Sequence, residues 1–185
     1  MKTAYLLHGG SAQHITSQND LFFREILEKI KLDKIRVLLV HFAGSPERAE
    51  LNKQIDSAQF ERNKKDKKVI IQVATKEKFI EQMSEADVIY FGGGTTIKLL
   101  EELKVFPNLK QSFEGKVIAG ESAGANFLAT LCYSKSGGGI IKCLGVLPIF
   151  VYPHFEKGSP LPSEKIPDNL QKLFLPNYEY KVFES

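Results

Sequence analysis

Cysteine is scarce in this chain, and no part of it is apolar for long enough to cross a membrane. Only Cys132 and Cys143 occur among 185 residues, outside any Cys-x-x-Cys pattern, which argues against a disulfide framework or a zinc knuckle. Apolar runs all fall short of the roughly 20 residues that a membrane helix needs. The amino-terminal segment becomes polar too early for a secretory signal. We therefore expect a cytoplasmic protein without a membrane partner.

The chain also lacks a strong excess of charge and a recognisable set of metal ligands. Its 25 basic and 22 acidic residues give a net charge of +3, which does not indicate nucleic-acid binding. The basic segment 62–68 has no interleaved aromatic residue and is typical of a solvated helix end or loop. The four histidines do not follow a ligand spacing such as His-Glu-x-x-His. We expect neither a nucleic-acid partner nor a metal.

Apolar, β-branched segments alternate with amphipathic ones through the first two thirds of the chain. Strands that are apolar along their whole length and are joined by helices favour a parallel sheet covered on both faces. The length suits one buried core, so we predict a single α/β domain over residues 1–185. The predicted strands lie at residues 3–7, 36–42, 69–73, 87–91 and 116–119, with a further strand near 145–152, a helix near 167–174 and a last strand near 178–183.

A possible nucleophile lies in residues 120–124, Gly-Glu-Ser-Ala-Gly, directly after a predicted strand. The pattern Gly-x-Ser-x-Gly is typical of a strand-to-helix elbow, which lifts the hydroxyl of Ser122 clear of the sheet. Glycine-bearing turns at 8–10 and 92–94 also follow predicted strands. Because parallel strands end at the same edge of a sheet, we expect the three turns to line one cleft.

A serine nucleophile needs a base, normally a histidine that a carboxylate orients. His154 follows a predicted strand in Val-Tyr-Pro-His-Phe and is the candidate base. Glu179 lies in the apolar run near the end of the chain and is the candidate acid. Glu156 is too close to His154 in sequence to fold back onto its ring.

The segment Gly-Gly-Gly-Thr-Thr at 92–96 lies between a predicted strand and a helix, but it lacks both the P-loop and the dinucleotide-binding patterns. Beside an activated serine, its expected use is to bind an oxyanion. The amide of Gly94 would pair with that of Ala123, the residue after the nucleophile. Gly93 and Thr95 are expected to line the same site.

Two further residues are candidates for the pocket. His8 follows a strand and either lines the cleft or has a structural role. Glu121 precedes the nucleophile and either favours a cationic or free-amine substrate or faces solvent.

Residues 91–100, 120–126 and 152–155 together resemble the dipeptidase E and cyanophycinase family of serine peptidases. The resemblance covers residues 85–156 well and the first third of the chain only in pattern. It implies a three-layer sandwich with a mostly parallel central sheet, as in class I glutamine amidotransferases, and a Ser-His-Glu triad without a cofactor. Carried over by motif, Ser122 is the nucleophile, His154 the base and Glu179 the acid, with Gly94 and Ala123 as oxyanion donors.

The chain departs from the family pattern at two places. Thr95 stands where the family usually has asparagine. Dipeptidase E prefers an N-terminal aspartate and holds it with an arginine that follows the histidine, but the last arginine here is Arg62. A carboxylate clamp must therefore come from an early segment, or from Lys157 or Lys165 as point charges. An aspartyl preference is not expected.

The predicted function is hydrolysis of short peptides by a serine peptidase, as a monomer or homodimer. The alternative is a non-catalytic small-molecule-binding protein of the same fold with an incomplete triad. That alternative gains support if no carboxylate lies within about 3.5 Å of the distal nitrogen of His154. Glutamine amide transfer usually relies on cysteine, and esterases usually place the acid before the histidine, so both fit less well.

Overall fold

A computed structural model describes residues 2–162 and 165–184. Their helices are α1 (Ser17–Glu28), α2 (Pro46–Asn63), α3 (Phe79–Glu85), α4 (Thr96–Leu103) and α5 (Ala123–Leu128), with a short 3-10 helix at Gln111–Phe113. Their strands are β1 (Ala4–His8), β2 (Lys34–Val40), β3 (Lys68–Val73), β4 (Val88–Phe91), β5 (Val117–Glu121), β6 (Ala129–Ser134), β7 (Gly139–Lys142), β8 (Leu147–Pro153), β9 (Gln171–Leu175) and β10 (Tyr180–Glu184).

The central sheet has the strand order β10-β1-β5-β4-β2-β3. Five of its strands are parallel, and β10 pairs antiparallel with β1 at one edge. Residues of α1 and α2, such as Phe22 and Phe60, pack in one buried cluster, and residues of α3, α4 and α5 pack in another. The chain therefore has the predicted α/β fold with a mostly parallel sheet between helical layers.

A second sheet, of order β7-β6-β8-β9, was not predicted. Strand β6 begins directly after α5 and runs parallel to β8, while β7 returns antiparallel beside β6. The segment 134–139 is thus the turn of a hairpin. This sheet connects the serine elbow to the turn that follows β8.

The helix predicted near residues 167–174 is wrong, because residues 171–175 form β9 and pair parallel with β8. The ring of Phe174 lies 4.8 Å from that of Phe155 and 6.2 Å from that of Phe150 on β8. Aromatic packing against a neighbouring strand therefore outweighs the local helical pattern.

No helix in the described ranges combines the length and the apolar character that crossing a membrane requires. Cys132 is buried and Cys143 half-buried, and both are free thiols whose sulfur atoms lie 3.3 Å apart.

Candidate active site

The predicted elbow forms where β5 ends. Ser122 has φ 50° and ψ −102°, an unfavourable conformation for a residue with a side chain, and α5 begins at the next residue. A Cβ atom at Gly124 would lie 2.1 Å from the carbonyl oxygen of Phe91, and one at Gly120 would lie 2.5 Å from the backbone of Gly124. Only glycine fits at these two positions, so the pattern around Ser122 reflects close backbone packing.

His154 lies directly after β8 and faces the elbow. Its Nε2 atom is 2.7 Å from Oγ of Ser122. Its backbone has φ 54°, and its N–H donates to the carbonyl of Gly9 at 2.9 Å. A Cβ atom at Gly10 would lie 2.0 Å from Cε1 of His154, so the ring packs directly on that glycine. The fold brings together the serine and histidine selected from the sequence.

The other ring nitrogen of His154 meets Asn177. Its Nδ1 is 2.6 Å from Oδ1 of Asn177. Since an amide oxygen only accepts, Nδ1 carries the proton and Nε2 is free to accept from the serine hydroxyl.

The expectation that Glu179 orients His154 is corrected by this geometry. Glu179 is exposed, and its carbonyl oxygen accepts from the N–H of Gly9 at 2.9 Å. The turn after β9 contains Tyr178 at φ 67°, and β10 begins only at Tyr180. This turn places Asn177 beside the imidazole ring of His154. The last strand was predicted to begin near residue 178, before the observed start of β10.

The glycine turn after β4 lies beside the serine. Gly94 has φ 147°, and a Cβ atom there would lie 2.6 Å from the carbonyl oxygen of Ala43. The N–H of Thr95 donates to the same oxygen at 2.9 Å. The turn is therefore held against the segment that follows β2, while Ala123 opens α5 on the other side of the elbow.

Two adjoining cavities meet at the serine, one of about 740 Å³ and one of about 200 Å³. Gly94, Ser122, Ser136 and His154 line both cavities. The smaller cavity is completed by residues of α4, α5, β6 and β8, and the hairpin between β6 and β7 contributes Ser136. Gly93, Thr95 and Glu121, which the sequence assigned to the pocket, line the larger cavity.

Helix α2 supplies one wall of the larger cavity, and sequence reasoning missed this wall. Its residues there include Arg48, Asn52 and Asp56. The helix begins with Ser45 as N-cap, whose Oγ accepts from the N–H of Arg48, followed by Pro46 in the first turn. Serine followed by proline is a recognised helix start, so the sequence did carry a signal for α2.

His8 was expected either to line the cleft or to be structural, and it is completely buried. Its Nε2 is 3.0 Å from Oδ1 of Asn19, and its Nδ1 accepts from the N–H of Gly10 at 3.1 Å. Burial, as the largest cause, lowers the pKa of His8 to about 4. His8 is therefore a neutral side chain that fixes the turn beneath His154.

Glu121 was expected either to contact substrate or to face solvent; it is half-buried on the wall of the larger cavity, and its carboxylate accepts from backbone N–H groups. The N–H of Ala12 donates to its Oε1 at 3.1 Å, and the N–H groups of Ser11 and Gly93 also bond to the carboxylate. Burial, and next the nearby Asp56, raise the pKa of Glu121 to about 7. Asp56 in turn bonds to buried His41 at 2.7 Å.

Across the described ranges, histidine, cysteine and acidic side chains form no cluster of three or more that could hold a metal ion.

Comparison with known proteins shows the family to which this chain belongs. The sequence model of peptidase family S51 matches residues 5–175. This chain belongs to peptidase family S51. Family S51 membership identifies it as a serine-type peptidase.

Two solved structures are similar to this S51 chain. A peptidase from an acI-B1 Actinobacterium is 24% identical with a TM-score of 0.70, over 99% of this chain and 84% of that one. A putative peptidase E protein from Listeria monocytogenes EGD-e is 16% identical with a TM-score of 0.62, over 100% of this chain and 98% of that one. At these identities the likeness supports the fold alone. A search of curated protein sequences gives no match.

Proposed function

We propose that this S51 peptidase hydrolyses short peptides through Ser122, His154 and Asn177. The 2.7 Å contact between Oγ of Ser122 and Nε2 of His154 carries the proposal. A hydroxyl becomes a useful nucleophile when a base within hydrogen-bond reach removes its proton. The positive φ angles of both residues support this assignment, because strained backbone is concentrated at functional sites.

The proposed reaction follows the order of acyl transfer by serine hydrolases. Oγ of Ser122 attacks the scissile carbonyl while Nε2 of His154 takes the hydroxyl proton, and the imidazolium then passes that proton to the leaving amine. The amides of Gly94 and Ala123 hold the oxyanion of the tetrahedral intermediate. Water, activated by the same histidine, hydrolyses the acyl-enzyme and regenerates the serine.

Asn177 takes the place of a carboxylate in this scheme. Its amide oxygen holds the ring of His154 in the productive tautomer and orientation. It carries no net charge, so it stabilises the imidazolium less than a carboxylate does.

The amide beside His154 also favours a second candidate function, a non-catalytic binding protein with the same cleft. Among the described residues, the partner at Nδ1 is an amide, which satisfies the condition stated for that alternative. We prefer catalysis because binding alone does not require a strained serine in contact with an unprotonated imidazole nitrogen.

The position of Arg48 bears on which peptides are cleaved. Its backbone lies in the first turn of α2, and its side chain lines the larger cavity. A guanidinium there can hold a carboxylate in bidentate fashion. We propose that Arg48, from an early segment of the chain, contacts a carboxylate of the substrate.

Turnover of a dipeptide library by the wild-type protein and by Ser122→Ala tests the function. Ser122→Ala should lower turnover by roughly three decades or more. Ser136→Ala is a matched control, because Ser136 lines the same cavities while its Oγ contacts Ser134 at 3.3 Å. Binding of dipeptides to the wild-type protein with no turnover would instead support the second candidate.

A further inference from the structure

We propose that Glu121 is a positioning residue whose ionised carboxylate ties two active-site loops to the serine elbow. One loop packs on His154 and the other contains Gly94. The inference rests on the proposed function and assigns Glu121 a task other than substrate binding.

The first loop follows β1. Its amides at Ser11 and Ala12 bond to the carboxylate of Glu121, the latter at 3.1 Å to Oε1. Ser11 has φ 64°, which is unfavourable for a residue with a side chain, and Gly10 has φ 134°, which glycine adopts freely. Gly10 contacts the ring of His154. Displacement of this loop would therefore release the base from the serine.

The second loop follows β4. Its N–H at Gly93 bonds to the same carboxylate, and a Cβ atom at Gly93 would lie 3.1 Å from Oε2 of Glu121. The next residue is Gly94, one of the proposed oxyanion donors. The side chain of Glu121 thus contacts both the loop that packs on His154 and the loop that contains Gly94.

The chemistry of the three bonds requires a carboxylate. An ionised carboxylate only accepts, and three backbone donors already use most of its acceptor capacity. A protonated acid or a glutamine amide would direct a donor at one of these N–H groups and leave it unpaired.

The surroundings of Glu121 make this network sensitive to pH. Asp56 from α2 faces it, bonded to His41, and buried Tyr90 from β4 lies close enough to interact electrostatically. Burial and the charge of Asp56 keep the proton on Glu121 up to about pH 7. The bonds to both loops should weaken as the pH falls through this value.

The first test measures labelling by an uncharged fluorophosphonate, which has no ammonium group, between pH 5.5 and 9. Glu121→Gln should slow labelling at least about tenfold at pH 8 and should make the rise of the rate with pH less steep, because one of the groups that must be ionised is then absent. Glu114→Gln is the control and should behave like the wild type, because Glu114 is exposed and lies before the start of β5, at the opposite end of that strand from the elbow. Normal labelling of Glu121→Gln together with a raised KM for peptides would show that Glu121 binds substrate, and would overturn the proposal.

The second test does not depend on activity or on a folded Glu121 variant. In Ser122→Ala protein, the amide NMR signals of Ser11, Ala12 and Gly93 should shift together with one midpoint near pH 7. If these three signals do not titrate, the proposal fails. Equal labelling of Ser122→Ala and wild type would instead refute the proposed function, while the NMR result would still decide the role of Glu121.

Discussion

Replacing Asn177 by aspartate should make the peptidase faster. The substitution puts a negative charge where Oδ1 now lies 2.6 Å from Nδ1 of His154. Unit charges about 4 Å apart interact by about 4 kcal/mol at an effective dielectric constant of 20. Both side chains are half-buried, and solvent screening reduces the gain to about 1–2 kcal/mol. The imidazolium formed in the transition state is stabilised by this amount, which corresponds to about tenfold in rate.

The assay is the second-order rate constant for fluorophosphonate labelling at pH 8, with kcat for a cleaved dipeptide as a second readout. Asn177→Leu keeps the branched shape of the side chain but removes the acceptor, and it should slow labelling by about one to two decades, less than removal of the base itself would cost. Glu179→Gln is the control and should leave the rate unchanged, because Glu179 is exposed. If Asn177→Asp is no faster and Asn177→Leu is no slower, the reasoning about the ring partner is refuted.

Three further predictions concern the elbow, the cleft wall and the buried histidine. Gly124→Ala should lower the free energy of unfolding by about 3 kcal/mol or more, seen as a fall in Tm of about 10 °C, because its new Cβ would lie 2.1 Å from the carbonyl oxygen of Phe91. Arg48→Ala should raise KM about tenfold for dipeptides with an acidic side chain and leave kcat nearly unchanged. The burial of His8 should reduce the free energy of unfolding by about 3 kcal/mol as the pH falls from 6.5 to 4, measured by denaturant titration at each pH.

The sign of the last effect follows from the lowered pKa of His8. Between pH 6.5 and 4 the unfolded chain takes up a proton at this residue and the folded chain does not, so stability is lost as the pH falls; His8→Gln should show a shallower decline.

The other two predictions have their own controls. Gly44→Ala should leave Tm almost unchanged, because its Cβ would meet Arg48 at an ordinary 3.4 Å. A similar Tm for Gly124→Ala and Gly44→Ala would contradict the packing argument. An equal rise in KM for dipeptides with neutral side chains would show that Arg48 does not recognise an acidic side chain.

The local sequence predicted the central sheet well because each of its parallel strands contains a run of apolar residues. The observed bounds of β1 to β5 differ from the predicted strands by only one or two residues. The elbow at Ser122 was also visible, since close backbone packing demands its two flanking glycines. Both patterns involve residues that are close together in the sequence. Apolar runs are a dependable sign of strands in such a sheet, because parallel strands are buried on both faces.

The third member of the site was not predicted, because it depends on a turn that the sequence does not mark. Asn177 and Glu179 lie two residues apart, and the positive φ of Tyr178 decides which of them reaches the ring. A carboxylate was preferred on chemical grounds, whereas the backbone presents an amide. The role of α2 was also missed, since few of its residues are apolar and its contribution is a polar wall.

The most direct test of the account is the mass of the labelled protein. After reaction with a fluorophosphonate, the wild type should gain one adduct, and peptide mapping should place it on Ser122. His154→Ala should react far more slowly at pH 8, and Ser122→Ala should gain no adduct. An adduct on another residue, or a rate that does not change when His154 is removed, would contradict the claim that this imidazole activates this serine.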